Sequence, residues 1–362
     1  MELFDLATML GKIVVVLAVA LGSVPFTVWF ERRGAAWIQM RVGPNRVGPF
    51  GLFQALADVL KFFFKEDFSP KGVNKFYYIL APLIALVFPL AAFVAIPFGD
   101  YMIINGEHVI MQIAHTDTGV LFLLAFAGLE VYPIIIAGWA SNNKYSLLGS
   151  LRGSSQIVSY EISMALSLVS MILIYGTVNP QEMVNFQGHT MLGGFLPMWG
   201  VFLNPIGALV FWVCTFAETN RLPFDLPEGD SELIAGYHLE YGAVKFSLFF
   251  MAEYVAMLMA SAFLTTVFFG GYSLLPGMTG LVGMIAGHLS LTDVDHHNLL
   301  EVFKFVSLCL KVAVFTVIFV WVRWTLPRFR FDQLMNLGWK MLFPLSVFNV
   351  VVIALLMAFV HG

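Results

Sequence analysis

YYILAPLIALVFPLAAFVAIPF, from Tyr77 to Phe98, carries no charged side chain from end to end. A helix needs about 20 mostly apolar residues to cross a hydrocarbon core of ~30 Å, and this run is long enough. Comparable runs at 12–30, 119–140, 157–176, 201–217, 244–269, 302–322 and 341–360 bring the expected spans to eight. The composition agrees. Of 362 residues, 59% are apolar and 12% charged, and the mean hydropathy is +0.84, whereas a soluble domain is about 45–50% apolar and about 25% charged. The sequence therefore predicts an all-α polytopic transmembrane bundle. No period of 20–50 residues repeats, so 1–362 reads as one membrane domain.

Lys and Arg then orient the spans. They crowd into the segments 31–76, 141–156, 218–243 and 323–340, and are absent from 99–118, 177–200 and 270–301. By the positive-inside rule the basic segments are cytoplasmic or matrix loops and both termini lie outside. The stretch 274–291 is apolar but contains Gly and Pro276. Counting it as a span would flip Arg323, Arg328 and Arg330 outward, so it reads as a surface or re-entrant segment. The N-terminal MELFDLATMLGK has acids where a secretory signal needs bases, so the first span is expected to be retained.

A net charge of −4 implies no nucleic-acid partner. Cys214 and Cys309 sit singly in apolar runs with no metal-ligand spacing, so no metal or redox centre is expected on this chain.

Between the spans, Asn105-Gly106 amid alternating residues of 101–114 predicts a β-hairpin. In 49–67, Gln54, Asp58, Lys61 and Lys65 share one helical stripe, and Leu52, Ala55, Val59, Leu60 and Phe63 share another. That pattern predicts an interfacial amphipathic helix, either an anchor or one wall of an entry for an oily ligand. Arginines interleave with aromatics in 326–344 as well, as they would on a platform for a water-soluble partner.

Acids inside the spans are harder to place. Glu130, Glu161 and Glu253 lie within apolar runs and Glu218 ends one. Burying a charge there costs at least about 2.5–3.5 kcal/mol. Carboxyls poised between desolvation and nearby charge can exchange protons near neutral pH, as a relay requires. Lys304 and Lys311 lie on one face of the seventh span. Glu301 is placed to pair with Lys304, and Lys311 is the expected counter-charge to a carboxylate. Finally, ETNRLPFDLPEGDSEL (218–233) gathers Glu218, Asp225, Glu228, Asp230 and Glu232 around Arg221. Pro223 and Pro227 exclude a regular helix through it, so the acids are expected on a loop above the bundle. Its interleaved Leu222, Phe224, Leu226 and Leu233 would pack under a partner.

Four stretches taken together resemble a known family: ERRGAAWIQMRVGPNRVGPFGLFQALADVLKFFFKED (31–67), GSLRGSSQIVSYEISMAL (149–166), AETNRLPFDLPEGDSELIAGYHLEYG (217–242) and PRFRFDQLMNLGWKMLFPL (327–345). They are similar to the quinone-site membrane subunit of respiratory complex I, the H-type subunit of bacterial NADH:quinone oxidoreductase. The resemblance covers essentially the whole chain. It implies a subunit without its own cofactor. NADH, FMN and iron–sulfur clusters belong to partners, and quinone is the substrate. The implied partners are hydrophilic-arm subunits around a terminal iron–sulfur cluster, antiporter-like membrane subunits and lipid, in a bacterial inner membrane or an organellar one. Carried over by position, Arg32, Trp37, Arg41, Asp58, Val59, Phe246, Phe250, Arg328 and Arg330 belong to the quinone path. Glu130, Glu161, Glu218, Asp225, Glu228, Asp230, Glu232, Glu240 and Glu253 belong to a proton-coupling carboxylate funnel. A stand-alone ion transporter, a hydrogenase-type membrane subunit and a structural anchor are the competing readings.

Overall fold

The computed structural model describes residues 2–361 except 192–195, 228, 230–233, 276, 277, 279, 281 and 285–291. Its α-helices and the first of two antiparallel strand pairs among the described residues follow in chain order, the second pair being Thr190–Met191 with Leu196–Pro197. α1 (Glu2–Ile38) is followed by α2 (Gln54–Phe64) and α3 (Lys75–Ala92). The strands β1 (Tyr101–Ile104) and β2 (Glu107–Ile110) come next, and then α4 (Gly119–Leu129), α5 (Val131–Ala140), α6 (Lys144–Tyr175) and α7 (Pro180–Gln187). The chain continues with α8 (Gly200–Leu203), α9 (Pro205–Glu218), α10 (Ala243–Phe268), α11 (Asp293–Thr325), α12 (Phe331–Asn336) and α13 (Phe343–His361). The protein is a multi-pass membrane bundle. Among the described residues, seven helices are long and apolar enough to cross a membrane.

The fifth expected span, 201–217, is the exception. Asn204 breaks it: its side chain accepts from the Gly207 N–H and caps the shorter α9, with Pro205 in the first turn. Proline suits that position because its missing N–H would be unpaired there anyway. The third span is one unit of Gly119–Ala140, interrupted at Glu130, which closes α4 and opens α5.

The hairpin forms as expected, with Ile104 opposite Glu107 in antiparallel register. Asn105 and Gly106 take φ 53° and 84°, the left-handed pair that a two-residue turn requires. It is tied to the bundle at several points. Lys12 donates to the Gln112 carbonyl at 2.8 Å, and the Asp100 N–H donates to Glu301 at 2.7 Å.

Two expected inner loops are largely helical. α6 begins at Lys144, capped by Asn143, so 144–156 extends the fourth span beyond its apolar run. Its inner end carries Ser146, Gly149, Ser150 and Gly153, all buried or nearly so. A Cβ on Gly149 would come 2.8 Å from the Gly236 Cα, and one on Gly153 would come 2.7 Å from Pro227. Small residues keep a helix here because the acidic loop lies directly on them. In the last inner segment, α12 runs through a wider π turn at Leu337–Leu342 into α13. Tyr160 donates to the Leu334 carbonyl at 2.8 Å and pins α12 to α6.

The acidic loop itself is not raised above the bundle. Arg221, Phe224 and Leu226 are buried in it. Gln156 reaches across from α6 and donates to the Ala217 and Phe224 carbonyls at 2.6 and 2.7 Å. The apolar residues between the acids therefore pack on this chain's own helices. Leu233, like Glu228, Asp230 and Glu232, lies outside the described residues.

Candidate functional site: an oily cavity, an ion network and a carboxylate pocket

A cavity of about 540 Å³ opens between α1, α2 and α10. Amphipathic α2 makes this possible. It buries Ala55 against the bundle while Val59 and Phe63 remain exposed, so the helix lies across the mouth rather than spanning. Arg32, Asp58, Val59, Phe246 and Phe250 all line the cavity. Arg32 and Asp58 form an ion pair at its rim, and Gln54 donates to the other Asp58 oxygen at 3.2 Å. Lys245 holds the segment after α2 in place through Asp67 at 2.9 Å and Ser69 at 2.9 Å.

The remaining quinone-path candidates lie elsewhere. Trp37 is exposed and faces Arg33, 6.0 Å from its ring centroid. Arg41 is exposed and donates to Gln39 at 2.7 Å. Arg330 lies 3.7 Å from Asp332 at the surface, and Arg328 grips Asp225 at 2.7 Å.

Down the wall of the cavity, aromatic residues recur one turn apart on α10. Phe246 and Phe250 stack at 6.4 Å, and Phe250 meets Tyr254 edge-on at 5.0 Å. The Tyr254 hydroxyl donates to Glu31 at 2.7 Å, which is where the charges begin. Glu31 also accepts from Arg221 at 3.2 Å and from Arg323 at 2.5 Å. Arg221 is 2% exposed, covers the Tyr254 ring at 4.3 Å and pairs with Glu253 at 3.1 Å. Burial works to lower the Arg221 pKa, but Glu253, Tyr254 and Glu31 together hold it above its usual value. Isolated, any one of these charges would be prohibitively costly at this depth. Each is compensated by partners from other segments of the chain, α1, α10, α11 and the loop that carries Arg221.

Glu253 also faces a third feature, a pocket of about 50 Å³ that it shares with Glu130 and Glu218. A water needs about 10–15 Å³ of such space, so this pocket has room for a few. Oε1 of Glu130 and of Glu218 is buried with no hydrogen-bond partner among the described residues. Glu161 lies on the neighbouring α6 with its carboxyl against Gly128, within electrostatic reach of Glu218. Four of the expected acids, from four helices, thus come together. Asp225 is next to them. Burial raises its carboxyl, Arg328 works against the rise and Glu253 adds to it, leaving it at about 6.

Glu240 does not join this group. Its carboxyl accepts from Asn143 at 2.6 Å at the junction with α6. Lys311 is not a counter-charge either. Its ammonium donates to the Gly271 and Ser273 carbonyls at 2.9 and 2.8 Å and so caps the turn after α10 with neutral acceptors. The Glu301–Lys304 pair forms as expected, at 2.6 Å. No group of three His, Cys, Asp or Glu side chains among the described residues is placed to hold a metal.

Sequence reasoning missed Glu31. Its signal was a carboxylate at the inner end of an apolar helix, but the adjacent Arg32 and Arg33 made the trio look like an orientation mark. Its true partners, Arg221 and Arg323, are distant in sequence and only the fold reveals them.

Similarity to known proteins gives the family of the chain. The family model described as NADH dehydrogenase matches residues 11–354. The H-type subunit of the NADH-quinone oxidoreductase of Salinibacter ruber is 47% identical, covering 96% of this chain and 95% of its own. Its counterpart of the same name in Bdellovibrio bacteriovorus is 42% identical over 98% and 97%. NADH-quinone oxidoreductase subunit 8 of Rhodothermus marinus is 46% identical over 91% of both. With its oily cavity, its buried acids and relatives of this closeness over almost its full length, the chain belongs to the NADH dehydrogenase family, whose members include the H-type membrane subunits of complex I.

Proposed function

We propose that this chain forms part of the quinone tunnel of a proton-translocating NADH:quinone oxidoreductase and couples quinone reduction to charge movement among its buried carboxylates. The observation that carries this reading is continuity. One aromatic series on α10 runs from the cavity at Phe246 to Tyr254, whose hydroxyl touches Glu31. Arg221 then links Glu31 to Glu253 and the carboxylate pocket.

The 540 Å³ cavity has the composition an isoprenoid quinone needs, with a largely apolar wall, the Arg32–Asp58 pair at the rim, and Lys61, Lys65 and Ser247 as its other polar lining. Small-molecule sites are built this way, largely apolar with a few placed polar groups. Reduction to quinol takes two electrons and two protons. The electrons come from an iron–sulfur cluster in a docked partner subunit.

Its own residues hold and shift charge. Drawing protons or releasing quinol changes the potential at Arg32–Asp58 and at Glu31. In a medium of low dielectric, unit charges a few ångströms apart interact by several kcal/mol. Arg221 can bind Glu31 and Glu253 unequally as that potential changes, which alters the charge favoured at Glu218 and Glu130. Antiporter-like subunits alongside would receive the change. The inner face, with α2, α12 and the acidic loop, docks the hydrophilic arm, in a bacterial inner membrane.

A photoreactive quinone analogue added to the assembled complex tests the tunnel. Adducts should concentrate in 31–64 and 244–251. Labelling confined to α13, whose outer surface is exposed throughout, would reject it. A stand-alone transporter would move ions when the chain is reconstituted alone, and no such movement is expected.

A further inference from the structure

A second apolar cavity, of about 420 Å³, lies between α1 and α11 and shares no lining residue with the first. α1 is thus a partition with a cavity on each side. The hydroxyls along the second cavity are already committed to their own helices. Ser23 donates to the Ala20 carbonyl at 2.9 Å, Thr27 to Ser23 at 3.0 Å and Thr316 to Val312 at 2.9 Å. An occupant finds hydrocarbon on all these faces. The lining on α1 runs from Val16 to Phe30, about 21 Å at 1.5 Å per residue. That exceeds half of a ~30 Å core, a shape that suits one straight alkyl chain better than a compact ligand. Phe26 and Val317 are exposed, so the long side opens to the bilayer.

The mouth is polar. One turn beyond Trp29, the Arg33 guanidinium sits among the rings of Trp29, Trp37 and Phe50 at 5.8, 6.0 and 5.6 Å. It donates to the Phe50 carbonyl at 2.9 Å. Arg32 and Arg323 each have a carboxylate, but among the described residues Arg33 has none. Opposite, Ala313, Val317, Val320 and Trp324 form one stripe of α11, and a Cβ on Gly34 would lie 3.4 Å from Val320. The Trp324 indole N–H is buried with no partner among the described residues.

We propose that this cavity holds one acyl chain of an anionic glycerophospholipid whose phosphate rests on Arg33. Charge complementarity selects this occupant. A guanidinium fork with unused donors matches phosphate oxygens, and the shaft beyond it accepts only a hydrocarbon tail. A neutral isoprenoid quinone would leave the cation unmatched. The bound lipid braces α1 against α11 and so fixes the wall of the first cavity from behind.

The test uses the assembled complex in phosphatidylcholine vesicles doped with phosphatidylglycerol bearing a diazirine on its acyl chain, with adducts mapped by mass spectrometry. Adducts are expected in 16–30 and 305–317. Arg33→Gln should lower them about tenfold, the loss of one charge-assisted contact. A diazirine-bearing phosphatidylcholine should label these peptides weakly and be insensitive to that change. Ala313→Trp, which fills the cavity, should abolish adducts from either lipid. If Ala313→Trp does not assemble, the Arg33→Gln comparison decides alone. The proposal is overturned if labelling is spread evenly over α13, if both lipids label alike and ignore Arg33→Gln, or if a photoreactive quinone labels these peptides more than the phospholipid does.

Discussion

Glu31 and Arg32 are neighbours at the inner end of α1 and serve opposite sides of it. Arg32 pairs with Asp58 at the rim of the 540 Å³ cavity. Glu31 turns inward to Arg221 and Arg323. One peptide bond therefore separates the oily cavity from the buried ion network, and movement of α1 at this point is felt by both.

Removing the inward partner should be costly. Glu31→Gln leaves Arg221 and Arg323 short of an anion, and breaking a buried pair costs about 3–5 kcal/mol. The complex should assemble poorly and melt at lower temperature. In a double-mutant cycle, Glu31→Gln with Arg323→Gln should recover part of the loss, because the unpaired cation goes too. Additive losses in thermal unfolding of the two single variants would show that the pair is not coupled.

The outward pair should behave differently. Arg32 and Asp58 are partly exposed, at 43% and 27%, and such pairs contribute about 0–1 kcal/mol. Asp58→Asn should leave stability nearly unchanged yet raise KM for a short-chain quinone several-fold. Val59→Trp, which intrudes on the cavity, should do so more strongly. Unchanged steady-state kinetics in both would remove quinone from this cavity.

Asp225 supplies a pH signature. Burial raises its carboxyl to about 6, above the ordinary value near 3.9. A raised carboxyl favours the folded state when protonated, so this contribution is complete below about pH 4 and lost as pH rises through about 6. Infrared titration of the complex should show a protonated-carboxyl band that disappears near pH 6. Asp225→Asn should remove it, and a band lost near pH 4 instead would contradict the assignment.

Close approach at the inner end of α6 predicts a contrast between glycines. Gly149→Val places side-chain atoms against the Gly236 backbone, already 2.8 Å from a Cβ. It should displace the acidic loop and abolish assembly. Gly11, with nothing within 4 Å, should accept Ala with no loss, or gain up to about 1 kcal/mol from helix propensity. Native gel electrophoresis of the two variants separates the outcomes.

These residues also show what the sequence could disclose. Hydrophobic run length, a period-3.6 stripe in α2 and Asn105-Gly106 are local signals, and α2, the hairpin and seven of the eight expected spans are present among the described residues, the run 201–217 being broken at Asn204. Read from the residues themselves, Glu130, Glu161, Glu218 and Glu253 were legible only as acids at unfavourable depth, and their grouping came from the family resemblance, since which helices touch is a tertiary property. Apolarity alone misled at 144–156. There the helix continues because Gly149 and Gly153 receive another segment of the chain, and a hydropathy run does not record such contact. Lys311 was misassigned for a similar reason. A buried ammonium can be satisfied by backbone carbonyls, and a one-dimensional pattern contains no information about them.

The central claim is that the pocket shared by Glu130, Glu218 and Glu253 transmits the consequence of quinone reduction. The most direct measurement is the quinone reductase rate together with proton uptake in proteoliposomes carrying Glu218→Gln, with intact assembly verified beforehand. Both should fall together, by about tenfold or more, as expected when a group within a proton relay can no longer take up or release a proton. Normal turnover with normal proton uptake would contradict it.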